Sequence, residues 1–176
     1  FAWPGPIHHG HGRAVVYMGD DERFEYVYKF VSRDRYRADN PGNASLLDEG
    51  TLYVARFGDD GKGRWLPLRH GEKYPNGALT ADNGFSDQGD VVIRCRQAAD
   101  LAGATKMDRP EWIAVHPQSG EVYVTLTNNG KRGTPEMPGL NAANPRPENH
   151  FGHIVRWREN RHDAASTAFE WDIFAL

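Results

Sequence analysis

The sequence holds one cysteine, Cys95, so an internal disulfide is excluded and cysteine usage leaves the redox compartment open. No run approaches the roughly 18 apolar residues that a membrane-spanning helix requires. No polybasic cluster is present, and a formal net charge of -3 gives no general attraction to nucleic acid or to an anionic membrane surface. An anionic ligand must therefore be met by particular Arg or Lys side chains or by metal ions. An initiating Met is missing too, and the first ten residues lack the charged-then-apolar layout of a secretion signal. The stretches Phe1-Ala2-Trp3-Pro4 and Phe174-Ala175-Leu176 read as cuts inside a longer protein.

What is abundant is turn chemistry: 19 Gly and 11 Pro in 176 residues, a length suited to a single region spanning 1–176. Short β-rich runs alternate with Gly, Asp, Asn and Pro clusters, the pattern of an antiparallel all-β architecture. Residues 13–17 and 26–31 pair across Gly19-Asp20-Asp21-Glu22. Residues 51–57 and 64–68 pair across a Gly-Asp-rich turn, as do 112–115 and 121–127 across His116-Pro117-Gln118-Ser119-Gly120. A last pair joins 152–158 to 168–172.

Successive hairpins of similar size suggest propeller blades, two to three of them, in an open arc that needs further blades from the same parent protein to close. Its exposed edges would favour aggregation. One helix interrupts the strands, over 91–106, where Val92, Cys95, Ala99 and Ala102 fall on one stripe. Cys95 on that stripe reads as a packed thiol. The polar segments 34–45 and 130–144 read as long loops, which in a compact domain are functional or disordered.

Several residues fit chemistry as well as structure. Asp20 and Asp21 end a strand in a turn, where carboxylates either accept backbone N–H bonds or converge on a hard cation. Glu111 follows Arg109-Pro110, which keeps the entry to its strand extended; its bland alternative is an ion pair with Arg109 or Lys106. Glu49 precedes its strand in the same way. Lys29 sits among Tyr26, Tyr28 and Phe30, either burying its stem with its head in water or contacting a phosphate. In the segment from Asn144 to His153 two prolines hold the backbone extended, so Arg146 and Glu148 project to one side. A guanidinium fork matches phosphate oxygens, while Glu148 and Asn149 offer oxygens to calcium. His153 opens a strand beside them. His8, His9 and His11 lie in a Gly-Pro-rich end segment and read as a tail.

Three stretches resemble the PhoX-type alkaline phosphatase family. They are Val16-Tyr17-Met18-Gly19-Asp20-Asp21-Glu22 with Tyr28-Lys29-Phe30-Val31-Ser32; Leu47-Asp48-Glu49-Gly50-Thr51-Leu52-Tyr53-Val54-Ala55-Arg56-Phe57; and Arg109-Pro110-Glu111 with Asn144-Pro145-Arg146 and Gly152-His153-Ile154. The resemblance implies a portion of a secreted or periplasmic bacterial β-propeller enzyme that uses calcium and ferric iron to hydrolyse small phosphomonoesters. It implies phosphate binding by Arg146, with His153 and Lys29 as further catalytic candidates, and metal ligation by Glu148, Glu111, Asp20, Asp21, Glu49 and Asn149. Two departures matter. Nothing here matches the family's cysteine iron ligand, and Trp3-Pro4 stands where the family tends to carry His-Glu. The iron site is therefore expected to be incomplete and the chain alone inactive. A gluconolactonase-like metal propeller and a non-catalytic binding propeller are the alternatives; a neutral lactone has no use for the Arg146 fork.

Overall fold

In a computed structural model that describes residues 12–176, eight strands form one antiparallel sheet. In chain order they are β1 (Arg13–Gly19), β2 (Val27–Arg35), β3 (Gly50–Phe57), β4 (Lys62–Pro67), β7 (Pro110–Val115), β8 (Val122–Leu126), β9 (His153–Glu159) and β10 (Ala168–Ala175), with β5 (Lys73–Tyr74) and β6 (Gly77–Ala78) making a separate small ribbon. The spatial order is β1-β2-β3-β4-β10-β9-β8-β7. All four hairpins read from the sequence are present, and the architecture is consistent with the expected all-β partial propeller. The hairpins join edge to edge, and the sheet curls until its two ends meet. A Cβ added to Gly19 at the end of β1 would lie 2.5 Å from the carbonyl oxygen of Pro110 at the start of β7. The edge strands are thus brought to face one another. His8, His9, His11 and Trp3-Pro4 lie outside the described residues.

The alternation of strand side chains builds two cores. Val27, Lys29 and Val31 of β2 point inward with Ala55, Phe57, Trp65, Trp157, Phe169 and Trp171. Tyr26, Tyr28 and Val54 point outward and are covered by a helical layer that supplies Val91, Ala98, Ala99 and Ala102. The inner core is aromatic: Trp65 and Phe169 centroids are 5.1 Å apart and Trp65 and Trp157 5.9 Å. Each such pair contributes about 0.5–1.5 kcal/mol beyond area burial.

The expected single helix over 91–106 is two helices, α1 (Gln88–Ile93) and α2 (Cys95–Ala102), separated at Arg94 with φ -105° and ψ 41°. The break resets the helical phase, so Val91 is buried while Val92 is exposed and Cys95 only half-buried. Asp87 caps α1 by accepting the N–H of Asp90, and Gly103 at φ 72° ends α2 before Lys106. The freed residues join the sheet: Thr105 N–H donates to Ala55 O, and Met107 N–H to Glu25 O.

Lys29 belongs to the inner core, head included, and not to the surface that a phosphate contact requires. Its Nζ donates to Ala164 O at 3.0 Å, to Ser166 O at 2.6 Å and to Glu159 Oε1 at 3.2 Å, which occupies all three donors. Glu159 in turn accepts from Tyr17 OH at 2.8 Å and Trp65 Nε1 at 3.0 Å.

Candidate functional site

Where β7 begins, β8 ends and β9 begins, three segments converge on the completely buried carboxylate of Asp108. Its Oδ1 accepts from Arg132 Nε at 2.8 Å and Asn129 Nδ2 at 2.9 Å; its Oδ2 accepts from Asn149 Nδ2 at 3.1 Å. Arg132 is equally buried and spends its remaining nitrogens on Gly139 O at 3.1 Å and Lys106 O at 2.8 Å, with its guanidinium 4.9 Å from the Phe24 ring centroid. A buried charge pair is tolerable only when saturated with hydrogen bonds in this way.

That anchor pins the segment that runs from Asn144 to His153. Asn144 Oδ1 accepts the N–H of Asp108 at 3.0 Å, Glu148 N–H donates to Arg132 O at 2.8 Å, and Asn129 N–H donates to Asn149 O at 2.6 Å. Asn149 Nδ2 also lies 3.2 Å from His153 Nδ1, while His153 Nε2 lies 2.7 Å from Ala143 O. A carbonyl only accepts, so Nε2 carries the proton and Nδ1 accepts from the amide. Burial pushes the pKa of His153 down, which keeps this neutral form. Gly152, at φ 73°, passes so close to β8 that a Cβ would lie 1.9 Å from Thr127 O. Its carbonyl accepts from Arg146 NH1 at 3.1 Å. The other nitrogens of half-buried Arg146 and the carboxylate of exposed Glu148 have no partner among the described residues. The result is a rigid loop that presents a guanidinium, fixed by one nitrogen and otherwise free, beside a free carboxylate.

The family model described as alkaline phosphatase PhoX matches residues 7–176. The chain belongs to the PhoX alkaline phosphatase family. A solved structure similar to it is Pseudomonas fluorescens PhoX in complex with vanadate, a transition state analogue, at 51% sequence identity and TM-score 0.87. That match covers 98% of this chain and 30% of the Pseudomonas chain, so the chain spans less than a third of that PhoX. No curated protein matches the chain.

Of the residues singled out in the sequence, this PhoX-family chain brings Arg146, Glu148, Asn149 and His153 together on one loop. Asp21 lies at the β1–β7 junction, paired with Arg109 at 3.1 Å, and Arg109 also reaches Asn128 Oδ1 at 3.1 Å. Glu111 is exposed on β7, its Oε1 accepting from Trp112 Nε1 at 3.0 Å. Asp20 turns to α2 and receives two bonds from Arg96 at 2.8 and 2.6 Å. Glu49 is paired with Arg33 at the β2–β3 connection. Among the described residues no three of His, Cys, Asp and Glu gather as a metal-holding group. Asn149 is also spent, since its Oδ1 accepts the N–H of Gly152 at 3.1 Å. By themselves these residues do not fit a calcium or iron centre. The residues that the sequence reading missed altogether are Asp108 and Arg132, and with them the anchoring role of Asn129 and Asn144. Their one signal was the density of asparagine in 128–149, since amides are the side chains that both donate to a buried carboxylate and accept from backbone.

Proposed function

We propose that this chain is one part of a phosphatase that hydrolyses small phosphomonoesters, and that the 144–153 loop supplies one wall of its phosphate site. The observation that carries the reading is Arg146: one nitrogen is fixed on Gly152 O while the rest of the fork is left open on a loop held by a buried ion pair. A fork preorganised in this way binds the non-bridging oxygens of a transferring phosphoryl group without reorganisation at the moment of reaction. Neutral His153 stiffens the same loop from beneath through Asn149 and Ala143. The vanadate bound to the Pseudomonas PhoX is a ligand of the kind that such a fork would take.

The calcium and ferric iron expected from the resemblance would draw most of their ligands from outside the described residues. Glu148 is the loop's unengaged carboxylate and would be its contribution to them. A periplasmic or secreted setting belongs to the same reading. The family assignment leaves the gluconolactonase-like alternative without support.

The test is hydrolysis of a chromogenic phosphomonoester with calcium and iron supplied, by the longer protein that contains this segment and by the 176-residue chain alone. Chelator-sensitive turnover by the longer protein and none by the isolated chain is the expected result. A longer protein inert toward phosphomonoesters would overturn the function; robust turnover by the isolated chain would show that it is not a part but a whole catalyst.

A further inference from the structure

The outer face of the β3–β4 hairpin carries a charge arrangement that the phosphatase reading does not use. Arg56 and Arg64 are direct cross-strand partners, both exposed, so their side chains stand side by side on one face. Lys62, two residues before Arg64, shares that face. Among the described residues none of the three has an ion pair or a hydrogen bond through its side chain. Several other arginines of this chain are answered by carboxylates: Arg33 by Glu49, Arg96 by Asp20, Arg132 by Asp108, Arg156 by Asp172, Arg158 by Glu121. Like charges directly opposite one another destabilise a sheet, and no carboxylate among the described residues pairs with either arginine.

The three cations line a groove of about 570 Å³ together with Asn160. Two carboxylates line it as well. Asp60 is engaged in the hairpin turn, its Oδ1 accepting the N–H of Lys62 at 3.1 Å. Glu170 stands in register opposite Lys62 on β4 and Arg158 on β9, so its charge falls between those two. The Arg56–Arg64 side of the groove is left positive.

We propose that Arg56 and Arg64 form a binding site for a phosphate-type dianion, either free phosphate or the phosphoryl group of a small ester, separate from the Arg146 loop. Two guanidinium forks side by side satisfy the oxygens of a tetrahedral dianion better than a single carboxylate would be satisfied, and the ligand removes the repulsion between them. The groove is open and two carboxylates share it, so binding is weak, with Kd on the order of 1 mM at low ionic strength. The site therefore responds to accumulated phosphate and does not capture traces of it.

The experiment is a ¹⁵N-resolved titration of the 176-residue chain at pH 8 with sodium phosphate, in parallel with glycerol 1-phosphate and with sodium chloride at matched ionic strength. Saturating shifts at residues 56, 64 and 160 with phosphate and not with chloride are expected. An equal response to the ester means that the site reads the phosphoryl group; a response to phosphate alone means that it reads the free dianion. The Arg56→Gln/Arg64→Gln variant should raise the midpoint at least tenfold while its Tm stays at or above that of the parent, since the substitution removes a like-charge contact. Chloride reproducing the shifts, or a variant with unchanged Tm and unchanged midpoint, would overturn the proposal. Shifts confined to residues 144–153 would overturn it while leaving the phosphate role of Arg146 standing. A response at residues 56 and 64 with none in the loop would support the proposal and leave the role of Arg146 to turnover by the longer protein.

Discussion

Asp108 and Arg132 stand 2.8 Å apart with both side chains fully withdrawn from solvent, and four further hydrogen bonds radiate from their side chains. Asp108 reaches Asn129 and Asn149; Arg132 reaches Gly139 and Lys106 and takes the N–H of Glu148 on its own carbonyl. The pair holds the 144–153 loop in place without itself meeting solvent.

Removing one partner leaves the other charge buried and unpaired. Asp108→Ala should cost about 3–5 kcal/mol in urea unfolding of the chain, and Asp108→Asn, which keeps the shape and an acceptor, should cost less. A loss below about 1 kcal/mol for Asp108→Ala would show that the carboxylate is not the anchor.

The second buried pair gives a pH dependence of definite sign. Burial pushes the Glu159 carboxyl up to about 7, against the pull of the Lys29 ammonium and of hydrogen bonds from Tyr17 and Trp65. Between its ordinary value of 4.5 and about 7 the folded chain therefore holds a proton that the unfolded chain has lost. Stability from this group is fully present below that window and falls as pH rises through it. Measured against the Lys29→Met/Glu159→Gln variant, the parent chain should lose stability between pH 4.5 and 7. A flat or rising difference would contradict the placement of Glu159 inside the sheet.

Two glycines with similar backbone angles should respond very differently to alanine. At Gly152 the added Cβ meets Thr127 O at 1.9 Å and Leu126 O at 2.1 Å, both backbone atoms of β8. At Gly71, with φ 90°, it meets nothing within 4 Å. Gly71→Ala should cost about 1–2 kcal/mol, the left-handed penalty alone. Gly152→Ala should exceed about 4 kcal/mol because the strand must move. Equal losses in thermal unfolding would mean that the loop does not press on β8 as described.

The four hairpins were legible because turn residues punctuate them and strands carry a period of two. The helix was legible as helix, and Ala99 and Ala102 of the expected stripe are buried with Cys95 packed beside them, but Val92 is exposed, because nothing in the run from Gln88 to Ala102 marks Arg94 as the residue that breaks and rephases it. In the site, Arg146, Glu148, Asn149 and His153 sit within eight residues, so proximity in sequence placed them on one loop; the extended backbone expected from Pro145 and Pro147 gives way to a turn with Glu148 at φ 43°. Asp108 and Arg132 are 24 residues apart, just beyond the open end of the β7–β8 hairpin, whose Pro110–Leu126 register brings them together; the hairpin was legible, the side chains that would pair beyond its end were not. Lys29 shows the same limit in reverse. The sequence reading left its head in water or on a phosphate, because nothing local shows that its face of β2 is the aromatic interior, where it meets Glu159, 130 residues on.

The central claim, that the open fork of Arg146 meets a phosphoryl group, is tested most directly by Arg146→Lys in the longer protein, with Arg13→Lys at the far end of β1 as the control. Lysine keeps the charge at position 146 but loses the planar fork that holds Gly152 O with one nitrogen and presents the others side by side to phosphate oxygens. Arg146→Lys should lower phosphomonoester turnover by about a hundredfold or more, with Arg13→Lys close to the parent. Equal, small effects at the two positions would contradict the account.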